Sequence, residues 1–403
     1  METVESKRSR RHCMVVHAYY PIQETRVERE AMALLDCGIS VDVICLRSPD
    51  ESPVETVDGV RVYRLPVRRH KGRGLFAQLF EYLAFFVLSC IRLTRLHIRN
   101  HYDVVQVHNL PDFLVFSASF AKLTGARIIL DLHDLMPEFY AERFQRSMDS
   151  LPVRLVRWQE WLSCRFADHI VTVTELWRQA LIGRGHAADK VSVVMNVPDD
   201  RVFHRDAALG LADSDDSHFE LIYHGVMEYR HGLDLALRAL DLVRQSAPEV
   251  HMILHGGGAY RRQVLEPLVD ELGLQDHVLF SSDYVPTPEL PRLLRKADLA
   301  IVPYRNGVFT GGILPTKLME YAALGIPSIA ARTPAISTYF DETMVQFFTP
   351  DDVGGLAQCI LELHRDRDHL AKLAKGINEF DEYYNWSSLK VQYADLVMGL
   401  AER

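Results

Sequence analysis

The sequence predicts an α/β protein made of two Rossmann-like domains whose parallel sheets face an interdomain cleft. Three observations lead there. Short β-rich apolar runs alternate with longer helical patterns from end to end, which is how βαβ units read. An Asp/Ser/Ala-rich, weakly apolar stretch, Asp199 to Ser217, interrupts the alternation, which then restarts. No sequence period relates the halves, so two domains are expected rather than a solenoid. Ligands of such sheets bind at the carboxyl ends of the strands.

The elements follow in order. The tail Met1 to His12 is basic, and the apolar run after it, Cys13 to Ala18, is cut short by Tyr19-Tyr20-Pro21, too soon for a signal-peptide core. That run is the first strand, followed in the first half by strands at 40–46, 60–65, 104–108, 127–133, 169–174 and 191–196. The second half reads strands at 219–225, 250–256, 277–282, 299–304 and 327–331. Helical patterns fill most of the gaps.

Composition narrows the function. The chain has 403 residues, 48% hydrophobic and 25% charged, with a net charge of -9, which disfavours a general nucleic-acid-binding surface. Six cysteines are scattered without a C-x-x-C pair, which argues against a disulfide scaffold or structural zinc and for a reducing cytoplasm. The run His255 to Arg261 follows a strand, but Arg261 stands where a dinucleotide fingerprint needs its third glycine. The P-loop, zincin and G-x-S-x-G signatures do not occur.

Two clusters carry chemistry. After the strand at 299–304 comes a glycine-containing loop, Asn306 to Gly312, then Ile313-Leu314-Pro315-Thr316-Lys317-Leu318-Met319-Glu320-Tyr321. Pro315 opens a helix, and backbone N–H groups at Gly311, Gly312, Ile313 and Leu314 with the helix dipole suit an anion cradle for a diphosphate, an ordinary strand-loop-helix with a solvated Lys317 and Glu320 being the other reading. Lys317 lies in the first turn, and Glu320 can accept two hydrogen bonds from a ribose diol. The second cluster, Asp131-Leu132-His133-Asp134-Leu135-Met136-Pro137-Glu138, ends the strand at 127–133. There His133 can donate to a sugar hydroxyl or a developing charge, with Asp134 or Asp131 setting its tautomer. A metal site shared with His108 and a hydrogen-bonded strand-end histidine are the other readings of these residues.

Tyr102 to Glu138 and Ile313 to Pro327 together resemble the family-4 (group 1) glycosyltransferases of the GT-B fold. Asn196-Val197-Pro198-Asp199 resembles the usual end of the first domain, and Trp386 onward the returning C-terminal helix. The resemblance implies an N-terminal acceptor-binding domain at 1–200, a nucleotide-sugar-binding domain at 201–384, and a helix at 385–403 that packs back on the first. It implies retaining transfer from a nucleotide sugar, a UDP-sugar first, to an acceptor hydroxyl in polysaccharide or glycoconjugate synthesis, with neither metal nor cofactor. His133 matches the histidine that contacts the donor sugar, with Asp134 or Glu138 the candidate bases. Glu320 matches the second glutamate of the E-x7-E motif.

The first glutamate of that motif falls on Gly312, so its sugar contact must come from backbone amides or be lost. The stretch Tyr223-His224-Gly225 to Gly232 resembles the family's diphosphate loop, with Val226 and His231 replacing its arginine and lysine. Arg230, Lys317 and Arg305 are the substitute cations. Gln23-Glu24-Thr25-Arg26 stands in place of the usual Gly-Gly loop after the first strand. A catalytically silent binding or scaffold relative and a sugar-nucleotide epimerase are the alternative readings.

Finally, Arg61 to Arg99 holds nine basic residues against one acid, Glu81, around an apolar run, Leu75 to Ile91, at the short limit for a membrane span. As a helix it packs one apolar side on the sheet, and its arginines suit an anionic membrane surface and a lipid-linked acceptor. A helix buried against the domain with solvated arginines is the other reading.

Overall fold

The computed structural model describes residues 10–21, 24–69, 74–205, 218–281 and 284–402. The expected tail 1–9, Lys71 and Arg73 of the basic segment, and 206–217 of the expected linker lie outside them. The strands are β1 (Arg11–Tyr19), β2 (Ser40–Leu46), β3 (Val54–Val57), β4 (Val60–Leu65), β5 (Val104–His108), β6 (Arg127–Leu132), β7 (His169–Thr172), β8 (Val191–Val193), β9 (Phe219–His224), β10 (Val250–His255), β11 (Val278–Phe280), β12 (Leu299–Val302), β13 (Ser328–Ala331) and β14 (Gln346–Phe348). The helices are α1 (Thr25–Asp36), α2 (Leu75–Asn100), α3 (Ser119–Leu123), α4 (Met136–Arg143), α5 (Leu151–Phe166), α6 (Glu175–Gly183), α7 (Leu233–Val243), α8 (Glu266–Leu272), α9 (Leu290–Leu294), α10 (Thr316–Leu324), α11 (Pro334–Tyr339), α12 (Val353–Arg365), α13 (Arg367–Gly376), α14 (Asn378–Tyr383) and α15 (Trp386–Ala401). The chain divides into two compact units, Met1–Asn196 with Leu389–Arg403, and Val197–Ser388.

The first unit is built on an eight-stranded sheet ordered β3-β4-β2-β1-β5-β6-β7-β8. Val15, Val43, Val105 and Ile129 are fully buried, as strands covered on both faces require. Steps from β4 to β5, β6, β7 and β8 all run one way across the sheet, and right-handed crossovers place α2 through α6 on one face. The step from β1 to β2 runs the other way, so α1 takes the opposite face, where α15 joins it. The second unit holds a parallel sheet ordered β11-β10-β9-β12-β13-β14, with Leu237, Leu240, Leu268 and Ile360 in its core.

The first sheet is parallel as expected except at its edge, where β3 pairs antiparallel with β4. Asp58 (φ 48°) and Gly59 (φ 85°) both take positive φ, the geometry of a two-residue hairpin, so the Asp-Gly pair is the local cause. Several expected strands also end sooner, and His133 and Gly225 fall just past β6 and β9, where side chains leave the ladder.

Helix α2 runs past the expected Ile91 to Asn100 and is long and apolar enough to cross a membrane by length and composition. It nevertheless links two strands of one sheet. Its Glu81 is buried 3.2 Å from His17, and Phe86 meets Phe113 edge to face, so one side is a sheet-packing surface.

Candidate active site

In the first unit, β5 and β6 deliver His108 and Asp131 side by side, and His133 follows directly. His133 Nε2 lies 3.1 Å from His108 Nδ1 and 3.5 Å from Asp131 Oδ2, while His108 Nδ1 is 3.1 Å from the same oxygen. Asp131 is fully buried and His133 is 23% exposed, so the imidazole has one side in the protein and one outside. With Nε2 turned inward, Nδ1 is the nitrogen left to a ligand.

Arg26 on α1 grips Asp131 through two bonds, Nε to Oδ2 and Nη2 to Oδ1, each 3.1 Å. Burial works against the charge on Asp131, but Arg26, then His133, overcome it and hold the carboxyl well below the usual carboxylate range. Burial likewise opposes the imidazolium of His133, and Asp131 more than offsets it, so the His133 pKa is raised. The amide of Gln106 donates to Glu30 and Asp131 and accepts from Tyr393 of α15 at 2.6 Å, so the last helix closes the network.

The orienting acid is therefore Asp131. Asp134 instead contributes its main-chain carbonyl to Asn109 Nδ2 (2.7 Å), while Asn109 Oδ1 accepts from the His133 N–H (2.9 Å), fixing the turn that aims the imidazole. Glu138 is buried at the start of α4 and pairs with Arg184, which also holds Glu160. Arg184 thus occupies the carboxylate expected as a candidate base.

In the second unit, His224 ends β9 and Glu320 sits on α10, their Nε2 and Oε2 atoms 2.5 Å apart, while His224 Nδ1 meets Tyr321 Oη at 2.9 Å. His224, Gly225 and Val226 line a cavity of about 380 Å³ with Gly256 to Gly258, Tyr284 and Leu290. The glycine run set aside as a failed dinucleotide fingerprint thus forms one wall. A Cβ on Gly256 would lie 2.3 Å from the Gly225 carbonyl, so glycine is required where the two loops touch.

The cations are distributed otherwise than expected. His231 is buried, stacked 4.8 Å from Tyr304, and its pKa is pushed down to about 2 by burial, then by Lys317 and Arg230. It is neutral and caps the loop at the Glu228 N–H. Arg305 pairs with Asp234 and Asp351, and Arg230 with Glu228. Lys317 is buried without a carboxylate among its described partners. Its ammonium donates to Tyr304 Oη at 2.8 Å and lies 4.7 Å from the Tyr223 ring centre. Burial opposes that charge, but the phenol groups of Tyr223 and Tyr304 offset it and leave the lysine pKa raised. A Cβ built on Gly225 would sit 3.9 Å from Lys317 Nζ, so this cation borders the glycine loop.

The cradle is also narrower than expected. The N–H groups of Gly311, Gly312 and Ile313 donate to Gly307, Phe309 and Thr310 within the loop, and the Leu314 side chain is buried. The amides of Thr316 and Lys317, in the first turn of α10, have no partner within the helix.

Residues 23–196 match the glycosyl transferase 4-like domain and residues 218–366 the glycosyl transferases group 1 domain. The chain belongs to the group 1 glycosyltransferases. This glycosyltransferase is 26% identical to the D-inositol 3-phosphate glycosyltransferase of Thermobispora bispora, over 93% of its own chain and 88% of the relative. It is 24% identical to the chitobiosyldiphosphodolichol beta-mannosyltransferase of Debaryomyces hansenii, over 73% of its own chain and 66% of the relative. Sucrose-phosphate synthase from Thermosynechococcus elongatus superposes with a TM-score of 0.76 at 19% identity, over 97% of this chain and 99% of that one. An Anabaena protein solved with UDP-glucose gives 0.68 at 16% identity, over 96% and 99%. Both have the GT-B fold found here.

For the glycosyltransferase, the commitment of the Gly312 amide inside its loop removes the backbone substitute expected for the missing glutamate. Glu320 reaches the cavity's edge only through His224, which lines it and meets Glu320 Oε2. Replacing Glu320 with Ala is expected to weaken nucleotide binding by about 1–3 kcal/mol, the worth of charge-assisted hydrogen bonds. Titration calorimetry with UDP and GDP checks this, and unchanged affinity in a folded variant removes Glu320 from the site.

Proposed function

We propose that this enzyme transfers a sugar, with retention, from a nucleoside diphosphate sugar to a hydroxyl of a lipid-linked acceptor, in cytoplasmic synthesis of a polysaccharide or other glycoconjugate. The observation that carries the reading is the convergence of Glu320, His224 and Lys317 on the Gly225 loop beside the 380 Å³ cavity. The nucleoside occupies the cavity, Glu320 takes the ribose, and Lys317 with the start of α10 faces the diphosphate. A UDP-sugar is the first donor to test, a choice supported by the Anabaena structure with UDP-glucose. The lipid-linked acceptor is supported by the diphosphodolichol in the Debaryomyces relative's name and by the exposed side of α2.

In the reaction the bond from the anomeric carbon to the diphosphate oxygen breaks, its electron pair leaving with the diphosphate. The acceptor oxygen bonds the same carbon from the same face, and its proton passes to a phosphate oxygen. His133 contributes its outer nitrogen to the transferred sugar. A thermal-shift panel of nucleotide sugars tests the donor, since a ligand at 100 times its dissociation constant adds about 2.7 kcal/mol of stability. Stabilisation by GDP-sugars alone would replace UDP, and none by any would remove the reading.

The chemistry requires no metal. His108, Asp131 and His133 lie close enough to suggest a metal site, but both Asp131 oxygens are engaged by Arg26, whose positive charge opposes a second cation there. Turnover is expected to survive EDTA. A strict metal requirement, restored by one divalent ion, would reinstate these residues as ligands.

We further propose that the enzyme is peripheral on the inner face of the plasma membrane, held by α2 and its arginines. Arg64 leaves the expected basic set, because it is buried and paired with Glu51 and Glu55.

A further inference from the structure

Helix α2 spans about 39 Å at 1.5 Å per residue, so the basic segment that reads as one unit in sequence is split between its ends. Arg95 and Arg99 lie at the amino end of the sheet. Arg68 and Arg69 lie at the carboxyl end, where α2 begins. From that end, Phe76, Leu79, Phe80, Leu83 and Val87 are exposed over the first half of α2 and fall within an arc of roughly 100° at 100° per residue, with Phe76 91% and Phe80 75% exposed, and Ile91 and Ile98 continue the same side.

A second stripe lies on α5, where no membrane signal was read from the sequence. Leu151, Leu155 and Trp158, spaced four and three apart, are all exposed, Trp158 by 60%. Phe86 of α2 packs on Phe113, and Phe166 of α5 on Phe116, so both helices flank the Asp112–Ala118 turn in one layer. Each helix enters from the carboxyl end of a strand, which puts both stripes at the end of the sheet that carries His133. Arg143 at the end of α4, Arg146 in the segment leading into α5 and Arg154 on α5 itself are exposed. The charges of Arg69 and Arg143 both act on Tyr82 of α2, so both arginines lie near the first turns of that helix.

We propose that the exposed stripes of α2 and α5 form one docking face for an anionic bilayer, with Leu151, Leu155 and Trp158 as a second insertion point. This rests on the peripheral-membrane reading above and adds α5 to it. Charge complementarity selects the occupant. Five exposed arginines border the apolar side chains in a protein of net charge -9, and the one acid of α2 is buried against His17. Two convex helix faces suit the headgroup and acyl boundary, where Trp and Leu insert and arginines meet phosphates.

The full-length protein is sedimented with phosphatidylglycerol-containing vesicles and with phosphatidylcholine vesicles, at low and high salt. Wild type is expected on the anionic vesicles at low salt only. Leu155→Glu with Trp158→Glu should weaken that binding about tenfold or more, and Phe76→Glu with Phe80→Glu should do the same. These positions are exposed, and unchanged thermal melting and nucleotide binding verify the fold of each variant. Normal binding of the α5 variant beside failure of the α2 variant overturns the inference and keeps the α2 reading. Failure of wild type to bind anionic vesicles overturns both. Self-association of wild type, lost in the α5 variant whose vesicle binding is intact, assigns the α5 stripe to a second copy of the chain and overturns the proposal.

Discussion

Replacing Arg26 with Ala is expected to destabilise the first unit by about 3–5 kcal/mol, because it strips the cation from a buried carboxylate. Asp131 is fully buried, and Arg26 supplies both of its guanidinium bonds while also pairing with Glu30 at 3.1 Å and donating to the Val194 carbonyl at 2.8 Å. For a unit of this size that loss corresponds to a melting temperature lowered by roughly 6–20 °C. Scanning calorimetry measures it. Because the variant itself can fail to fold, Arg26→Met with Asp131→Leu provides the second measurement. Removing both charges should restore part of the stability, since an apolar pair of similar volume replaces a buried ion pair at little cost, while Glu30, left without Arg26, must take up a proton. Turnover should stay low, because His133 has lost its partner. A small shift for Arg26→Ala, or full turnover in the double variant, would show that the network does not hold the site.

His133→Ala is expected to lower kcat about 10²–10³-fold while changing stability little. The side chain is partly exposed at a strand end, so its removal opens no core cavity, and what disappears is the group proposed to act on the reacting sugar. Nucleotide affinity in the second unit should be unchanged. Normal turnover on the identified acceptor would remove the role. The raised His133 pKa adds a pH signature. The stability from its attraction to Asp131 is complete below the ordinary histidine value of about 6.5 and is lost as pH rises through the higher folded value. In His133→Ala that alkaline loss should disappear from the melting profile.

Much of the fold was legible. The strands at 40–46, 60–65 and 104–108 have the ends read from sequence, because each is a short β-rich, mostly apolar run bounded by turn residues. The helix after Pro315 starts at Thr316 and stops at Gly325, whose positive φ ends it. The hairpin at Asp58-Gly59 was written in the same local language and was not read, because β3 is a short edge strand with exposed, polar-leaning residues. Arg26 stands out in the sequence only as a departure from a loop pattern, His224 only as part of a loop resemblance, and the glycines at 256–258 only as a failed dinucleotide fingerprint.

The sequence by itself determined the α/β class, the family, and the positions of His133 and Glu320, because hydrophobic period, turn residues and motif spacing act over a few neighbouring residues. Which groups surround them was decided by the tertiary structure. Arg26 meets Asp131 across 105 positions, His224 meets Glu320 across 96, and Tyr393 meets Gln106 across 287. Only the pairing of parallel strands and the return of α15 brings such residues within a hydrogen bond. Whether a histidine is neutral, as His231 is, or a lysine stays charged, as Lys317 does, depends on burial and on these distant partners.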